Sequence, residues 1–169
     1  MLRRVCLSRL FIINELLYSI HCSAGPVKNN KVKFTNREGW DIDGASIGRE
    51  IGIPKVKLIN DFVAVGYGIL TLNPQKECVT LQEGNVDEEG PIACLGAGTG
   101  LGQCYVVPVN NVGTYHSFAS EGGHIEYAPR DEIQFGLQTF LKEKFEEPNR
   151  ISVERIVSGI GLANVRLKS

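Results

Sequence analysis

The sequence lacks the cysteine pattern of a disulfide scaffold or a zinc ribbon. Its 169 residues contain five cysteines, an odd number, and no two of them form a C-x-x-C motif. Cys94 and Cys104 fall in apolar runs that are typical of strands, where free thiols are usually buried. We therefore expect a protein of a reducing compartment, the cytoplasm.

An excess of charge of either sign and a long apolar run are also missing. Eighteen basic residues stand against 19 acidic ones, so no general attraction to nucleic acid or to anionic lipid is expected. The apolar stretch within residues 1–22 is interrupted by Arg9, Asn14 and Glu15. It is too polar for a membrane span, and its LFII run is too short for a signal peptide. We expect residues 1–21 to lie outside the fold, as a mis-joined exon, and an Arg-rich organellar leader is the alternative.

From Ser23 onward the pattern is that of an α/β protein. Strands are predicted at 31–34, 56–59, 92–95 and 103–109. Helices are predicted at 47–51, 62–70, from the Asp131/Gln134 capping box to Pro148, and from Ser152. These segments predict an α/β domain at 22–72, a connection with an acidic loop at 73–91, and a second α/β domain at 92–169.

The most distinctive local feature is the glycine-rich run GAGTGLG at residues 96–102. Its glycines would let backbone N–H groups approach an anion, and the hydroxyl of Thr99 would add a donor. The run is neither a Rossmann fingerprint, since position 101 is Leu, nor a P-loop, since no Lys follows. We interpret it as a phosphate-binding turn between two strands, and a tight turn without a ligand is the alternative.

Three further segments carry polar residues at the ends of predicted elements. Asp61 follows the strand at 56–59, where α/β proteins place catalytic groups, although an Asp there could equally cap the next helix. Glu121 and His124 flank a Gly pair, which suits hydrogen bonding to vicinal hydroxyls or an ordinary surface turn. Glu154 near a helix start is by itself an ordinary surface acid. No His, Cys, Asp or Glu spacing predicts a metal site.

Five motifs in this order resemble the glucokinases of bacterial type, which also occur in protists. They are SAGPV (23–27), LINDF (58–62), GAGTGLG (96–102), SEGGHIEYAP (120–129) and SVERIVSG (152–159). The resemblance covers about residues 22–166, and the zinc motif C-x-C-G-x-x-G-C-x-E of a related sugar-kinase family is absent.

The resemblance implies an α/β fold of the actin-like, RNase H-like (ASKHA) class with two domains, here incomplete. It also implies phosphorylation of glucose at the 6-hydroxyl, a first step of glycolysis, with ATP and nucleotide-bound Mg²⁺. Asp61 would be the general base, and the glucose ligands would be Asn60, Asp61, Glu121, His124 and Glu154. The ATP phosphates would lie against Gly96, Gly98, Thr99 and Gly100. Glucose and ATP are then the expected partners, and the family adds the expectation of a homodimer.

Two parts of the family pattern are not found. A first phosphate hairpin of D-x-G-G-T-N type should precede residue 22, and an adenosine-contacting segment should follow SVERIVSG. In addition, Ile160 stands where the family usually has Pro. These departures leave two hypotheses open. The chain is a glucokinase by family, either inactive as it stands or a fragment of a longer gene product, or it is a glucose-binding fragment without catalysis.

Overall fold

The structure is a computed structural model. It describes residues 18–23, 25–33, 41–87, 89–109, 113–147 and 149–168. The chain divides into two compact units, Met1–Val86 and Asp87–Ser169. The division lies inside the stretch 73–91, which the sequence predicts to be a connection.

Within its described residues, the first unit contains two small sheets and three helices. Its elements are β1 (Tyr18–Ser23), β2 (Val27–Lys28), β3 (Lys31–Lys33), β4 (Asp41–Asp43), α1 (Gly44–Ile51), β5 (Lys55–Asn60), α2 (Asp61–Ile69) and α3 (Pro74–Glu77). Strands β1 and β5 pair in parallel, while β2, β3 and β4 form an antiparallel sheet. Helix α1 ends at Gly52, which adopts the left-handed conformation at φ 71°, as expected for a glycine that terminates a helix.

Strand β1 corrects the predicted start of the fold. Tyr18 pairs with Lys55 and Ser23 pairs with Asn60, so residues 18–21 belong to the sheet rather than to a segment outside it. The predicted boundary at residue 21 is therefore wrong, because β1 crosses it and pairs in parallel with β5 along its whole length. The remainder of that predicted segment, residues 1–17, lies outside the described residues.

The side chain of Asn30 links the antiparallel sheet to β5. Its Oδ1 accepts the N–H of Leu58 at 2.7 Å, and its Nδ2 donates to the carbonyl of Val56 at 2.8 Å. Asn30 itself has φ 59°, a conformation that asparagine tolerates better than most residues. This contact satisfies backbone groups of β5, the strand that leads into Asn60 and Asp61.

The second unit contains an antiparallel sheet and two longer helices. Its elements are β6 (Ile92–Ala97), β7 (Leu101–Pro108), β8 (Tyr115–Ser120), a first 3₁₀ turn (Gly122–His124), α4 (Glu132–Phe145), a second 3₁₀ turn (Val153–Arg155) and α5 (Gly159–Lys168). The strand order is β6-β7-β8. Leu137, Leu141 and Ile151 form a buried cluster beneath the aromatic rings of Tyr127, Phe140 and Phe145.

Opposite faces of this sheet differ in burial. Cys104 and Val106 on β7 are buried, whereas Leu95 and Phe118 on the other face are exposed. Cys94 lies directly across the strand pair from Cys104, and both are free thiols, as predicted. Burial raises the pKa of the Cys94 thiol, and the neighbouring Cys104 raises it further. The Cys94 thiol is therefore not set up as a nucleophile.

The helix predicted from Ser152 is wrong in its start. Residues Val153–Arg155 form only a single 3₁₀ turn, and the N–H of Val153 donates to the distant carbonyl of Ile125 at 3.0 Å. The last α-helix begins instead after Ser158, whose Oγ accepts the N–H of Gly161 at 3.0 Å. This is the bond of an N-cap serine.

Candidate functional site

In the first unit, the junction between β5 and α2 presents Asn60 and Asp61. Asn60 is the N-cap: its Oδ1 accepts the N–H of Phe62 at 2.9 Å and of Val63 at 3.2 Å. Its Nδ2 donates to the carbonyl of Gly25 at 3.2 Å. Since Oδ1 already accepts two bonds, only the second hydrogen of Nδ2 remains for a ligand.

Asp61 is the first residue of α2 and is exposed. Its Oδ1 accepts the N–H of Phe62 at 2.9 Å, and Oδ2 accepts no bond within the described ranges. The alternative that Asp61 caps the helix is wrong, because Asn60 does so. The helix N-terminus favours a negative charge at this position. Asp61 thus presents a fixed carboxylate with one oxygen available.

The first unit also holds a cavity of about 680 Å³ away from these residues. Arg49, Lys55 and Lys57 contribute to its lining, whereas Asn60 and Asp61 do not. Cavity volume therefore gives no support to the predicted residues, and their case depends on position and chemistry.

In the second unit, Gly98–Gly100 form the turn between β6 and β7. The N–H of Gly98 donates to the carbonyl of Gly100 at 2.9 Å, and the carbonyl of Gly98 accepts the N–H of Gly159 at 2.8 Å. The first residue of α5 thereby holds one side of the turn. This contact requires a close approach, since a Cβ on Gly159 would lie 3.1 Å from that carbonyl oxygen.

Two backbone donors of this turn are available. Among the described residues, the N–H groups of Thr99 and Gly100 have no protein acceptor, and the Thr99 side chain is exposed. A turn with fixed carbonyls and free N–H groups fits a phosphate oxygen. The ATP-phosphate site predicted at Gly96, Gly98, Thr99 and Gly100 stays a prediction, and the two available donors are the feature that could serve it.

The first 3₁₀ turn holds Glu121 and His124 on either side of two glycines. The N–H of His124 donates to the carbonyl of Glu121 at 3.0 Å, and the N–H of Gly122 donates to Ser120 Oγ at 3.1 Å. Gly123 is buried, and a Cβ there would overlap the carbonyl oxygen of Leu101. The glycine pair thus permits the turn to pack directly on β7, which an ordinary surface turn would not need.

Glu154 reaches the glycine-rich run from the second 3₁₀ turn. Its Oε2 accepts the N–H of Leu101 at 2.8 Å, and its side chain is 29% exposed. Neighbouring contacts fix this turn: the Arg155 guanidinium lies 4.1 Å from the centre of the Phe145 ring and pairs with Glu147 at 2.7 Å. Glu154 is therefore an anchored carboxylate rather than an ordinary surface acid.

The carboxylates of Glu121 and Glu154 both lie near the imidazole ring of His124. His124 Nε2 lies 3.8 Å from Glu121 Oε2, and His124 Nδ1 lies 4.0 Å from Glu154 Oε1. Both distances are too long for direct hydrogen bonds, so the polar atoms remain free to bind a hydroxyl. Carboxylate oxygens accept and an imidazole N–H donates, which are the two interactions that a sugar hydroxyl needs.

The sequence did not indicate several residues that support this group. Leu101 contributes only its backbone N–H, Arg150 Nη1 donates to the carbonyl of His124 at 2.8 Å, and Ser158 caps α5. Only Ser158 had a signal, since a serine precedes the two glycines of α5. The other two contacts join residues far apart in sequence.

The described ranges contain neither a candidate metal site nor a candidate membrane span. No three His, Cys, Asp or Glu side chains in them are grouped to hold a metal ion. No helix in that part of the chain is long and apolar enough to cross a membrane.

Comparison with known proteins places this site in a family context. A family model described as Glucokinase matches residues 7–167. The glucokinase of Synechocystis sp. is 49% identical over 142 residues, which are 84% of this chain and 39% of that protein. The chain spans about two fifths of the length of the curated relatives it matches.

Solved structures give the same result for the fold. A glucokinase from an Antarctic psychrotroph matches with a TM-score of 0.64 and 32% identity, over 85% of this chain and 43% of that one. A Balamuthia mandrillaris glucokinase, solved in complex with glucose, matches with a TM-score of 0.62 and 23% identity, over 85% and 44%. The predicted fold class, α/β of the sugar-kinase type, is confirmed.

Proposed function

Because the chain belongs to the glucokinase family, we propose that it phosphorylates glucose at the 6-hydroxyl with ATP as donor. The observation that carries this proposal is the convergence of Glu121 and Glu154 on His124, at 3.8 and 4.0 Å. These three side chains offer acceptors and a donor to adjacent hydroxyls of a hexose. In the first unit, Asn60 offers its remaining Nδ2 hydrogen to a sugar hydroxyl.

Asp61 is the proposed general base. One of its carboxylate oxygens accepts no bond within the described ranges, so it is free to take the proton of the 6-hydroxyl. The hydroxyl oxygen then forms a bond to the γ-phosphorus, and the bond from that phosphorus to the β–γ bridging oxygen breaks. ADP leaves with the electron pair, and the proton stays on Asp61. Phosphoryl transfer asks chiefly for this positioning and for charge stabilisation.

The turn around Thr99 is the proposed phosphate-binding element. The N–H groups of Thr99 and Gly100, with the Thr99 hydroxyl, would donate to phosphate oxygens, and Gly96 and Gly98 keep the backbone accessible. Mg²⁺ bound with ATP would neutralise phosphate charge.

A coupled assay for glucose 6-phosphate, with ATP and Mg²⁺, tests the proposal on the purified chain beside Asp61→Ala. We expect the substitution to lower turnover about 10²- to 10⁴-fold, as for loss of a general base. Glucose affinity, measured by equilibrium dialysis, should change far less. Asp43→Asn is the matched control, because it removes a carboxylate from the N-terminus of another helix in the same unit.

The second candidate function is glucose binding without transfer. It is favoured by the fact that Glu121, His124 and Glu154 all belong to one unit. Saturable glucose binding without turnover would support this second function. If Asp61→Ala kept both glucose binding and turnover, the proposed role of Asp61 would be contradicted.

A homodimer and a cytoplasmic location complete the proposal. Sedimentation equilibrium of the purified chain would test the first of these, with one protomer mass as the contradicting result. Imaging of the tagged protein would test the second against an organellar location.

A further inference from the structure

The two oxygens of Glu154 face two different predicted sites. Oε2 accepts the N–H of Leu101, the first residue after the turn, at 2.8 Å. Oε1 lies 4.0 Å from His124 Nδ1, in the group proposed to bind the sugar. One carboxylate therefore touches the phosphate turn with one oxygen and is open to a sugar hydroxyl with the other.

We propose that Glu154 is a positioning residue that couples hexose binding to the phosphate turn. The inference rests on the proposed function, because it takes the sugar and phosphate sites from there. A hydroxyl that donates to Oε1 restricts rotation of the carboxylate and so holds Oε2 on the N–H of Leu101. Sugar binding thereby orders the Gly98–Gly100 turn, and phosphate binding favours the sugar-binding rotamer to the same degree.

The turn is built to respond to a contact at this point. Gly159 already fixes its other side through the carbonyl of Gly98, at 2.8 Å. Position 101 is then the second point of attachment, and the two donors of Thr99 and Gly100 lie between the two attachments. When both attachments are held, these N–H groups keep one orientation, so a phosphate meets donors that need no further ordering.

Position 100 matches the proposed role of Glu154. A Cβ on Gly100 would overlap Oε2 of Glu154, so glycine leaves the space that the carboxylate needs to reach Leu101. Gly100→Ala would then break the attachment to the turn while keeping the carboxylate itself. Glu154→Gln would do the reverse: its amide oxygen can still accept from Leu101, but its NH₂ cannot accept from a sugar hydroxyl.

The test measures the affinity of tripolyphosphate, a probe that needs no adenosine contacts, with and without saturating glucose. The full 169-residue chain is labelled with ¹⁵N, and the amide signals of Thr99, Gly100 and Leu101 report on the turn while that of His124 reports glucose saturation. We expect glucose to tighten tripolyphosphate binding at least about fivefold in the wild type. We also expect glucose to shift the signals of the turn.

Both variants should reduce that ratio to about one. Glu121→Gln is the matched control: it also weakens the sugar site, but Glu121 makes no contact with the turn, so the ratio should survive once glucose is saturating. A ratio that survives in Gly100→Ala and Glu154→Gln would overturn the coupling, as would glucose shifts at His124 with none at residues 99–101. If glucose shifts no signal at all, including His124, the proposed function fails together with the coupling.

Discussion

The carboxylate of Glu154 occupies the space in which a side chain at Gly100 would begin. A Cβ at position 100 would overlap Oε2 and lie 3.1 Å from Cδ of Glu154. The backbone of Gly100 is not in the left-handed region, which glycine adopts, among the described residues, at positions 25, 52 and 113. Glycine is therefore needed at position 100 for room rather than for conformation.

Alanine substitutions at the two ends of the turn distinguish the steric effect of an added Cβ from the loss of glycine's backbone flexibility. A Cβ at Gly98 would meet no atom within 4 Å, whereas at Gly100 it would meet the carboxylate. We expect Gly100→Ala to lower the free energy of unfolding by about 1–3 kcal/mol, through steric displacement and a lost hydrogen bond. Gly98→Ala should change it by less than about 1 kcal/mol. Urea denaturation followed by circular dichroism measures both, and equal losses would contradict the contact.

Asn60 provides a second comparison, because its side chain makes three hydrogen bonds. We expect Asn60→Ala to lower the free energy of unfolding by about 1–2 kcal/mol, since it removes the N-cap of α2 and the bond to the carbonyl of Gly25. Asn60→Asp keeps the capping oxygen and loses only the donor, so it should lose less. Asn73→Ala removes a cap from the exposed four-residue helix α3 and serves as control. A control effect as large as that of Asn60→Ala would argue against a special role of Asn60.

Features that depend on neighbours in sequence were predicted well. The Asp131/Gln134 capping box is confirmed, since Asp131 Oδ1 accepts the N–H of Gln134 at 2.8 Å and α4 begins at Glu132. The turn between β6 and β7 is likewise confirmed as a link between two strands. In both cases the deciding hydrogen bonds or glycines lie within a few residues of one another.

Features that depend on distant partners were not predicted. Strand β1 has no clear alternation, and its place is fixed by parallel pairing with β5, more than thirty residues later. The contact of Glu154 with Leu101 joins residues that are 53 positions apart. The local sequence therefore predicted only an ordinary surface acid at Glu154. Apart from the corrected boundary at residue 21, the predicted domain limits stay predictions. The catalytic and binding roles of the site residues also stay predictions.

Stability of the first unit should depend on pH through Asp43. Its carboxylate pairs with Lys31 at 2.9 Å and accepts the N–H of Ala45 at 2.9 Å. The bond with Lys31 is the larger cause and the bond with Ala45 the next, and together they hold the pKa of Asp43 below its ordinary value. The stabilisation is therefore complete above the ordinary aspartate range, about pH 4, and is lost as the pH falls through the lower pKa of the folded state.

Thermal melts of the wild type and Asp43→Asn across this range would measure the effect. Asparagine still caps α1 but cannot pair with Lys31, so the difference in Tm should shrink as the pH falls. Because the pair is exposed, 1 M NaCl should also shrink it. Asp41→Asn removes an exposed carboxylate from the same strand and is the control. A Tm difference that stays constant across the range would contradict the assignment to Asp43.

Position 160, in the first turn of α5, offers a stabilising substitution. Ile160 is the second residue of α5 and is 52% exposed, and no acceptor for its N–H lies within the described ranges. Proline at this point would forfeit no hydrogen bond and would restrict the unfolded chain. We expect Ile160→Pro to raise the free energy of unfolding by about 0.4–1 kcal/mol.

Proline at Leu162 is the control, because the N–H of Leu162 donates to the carbonyl of Ser158 at 3.0 Å. Leu162→Pro should lower the free energy of unfolding by about 3 kcal/mol. Urea denaturation of the two variants beside the wild type decides the matter, and a loss of stability in Ile160→Pro would mean that the first turn of α5 does not begin at Gly159.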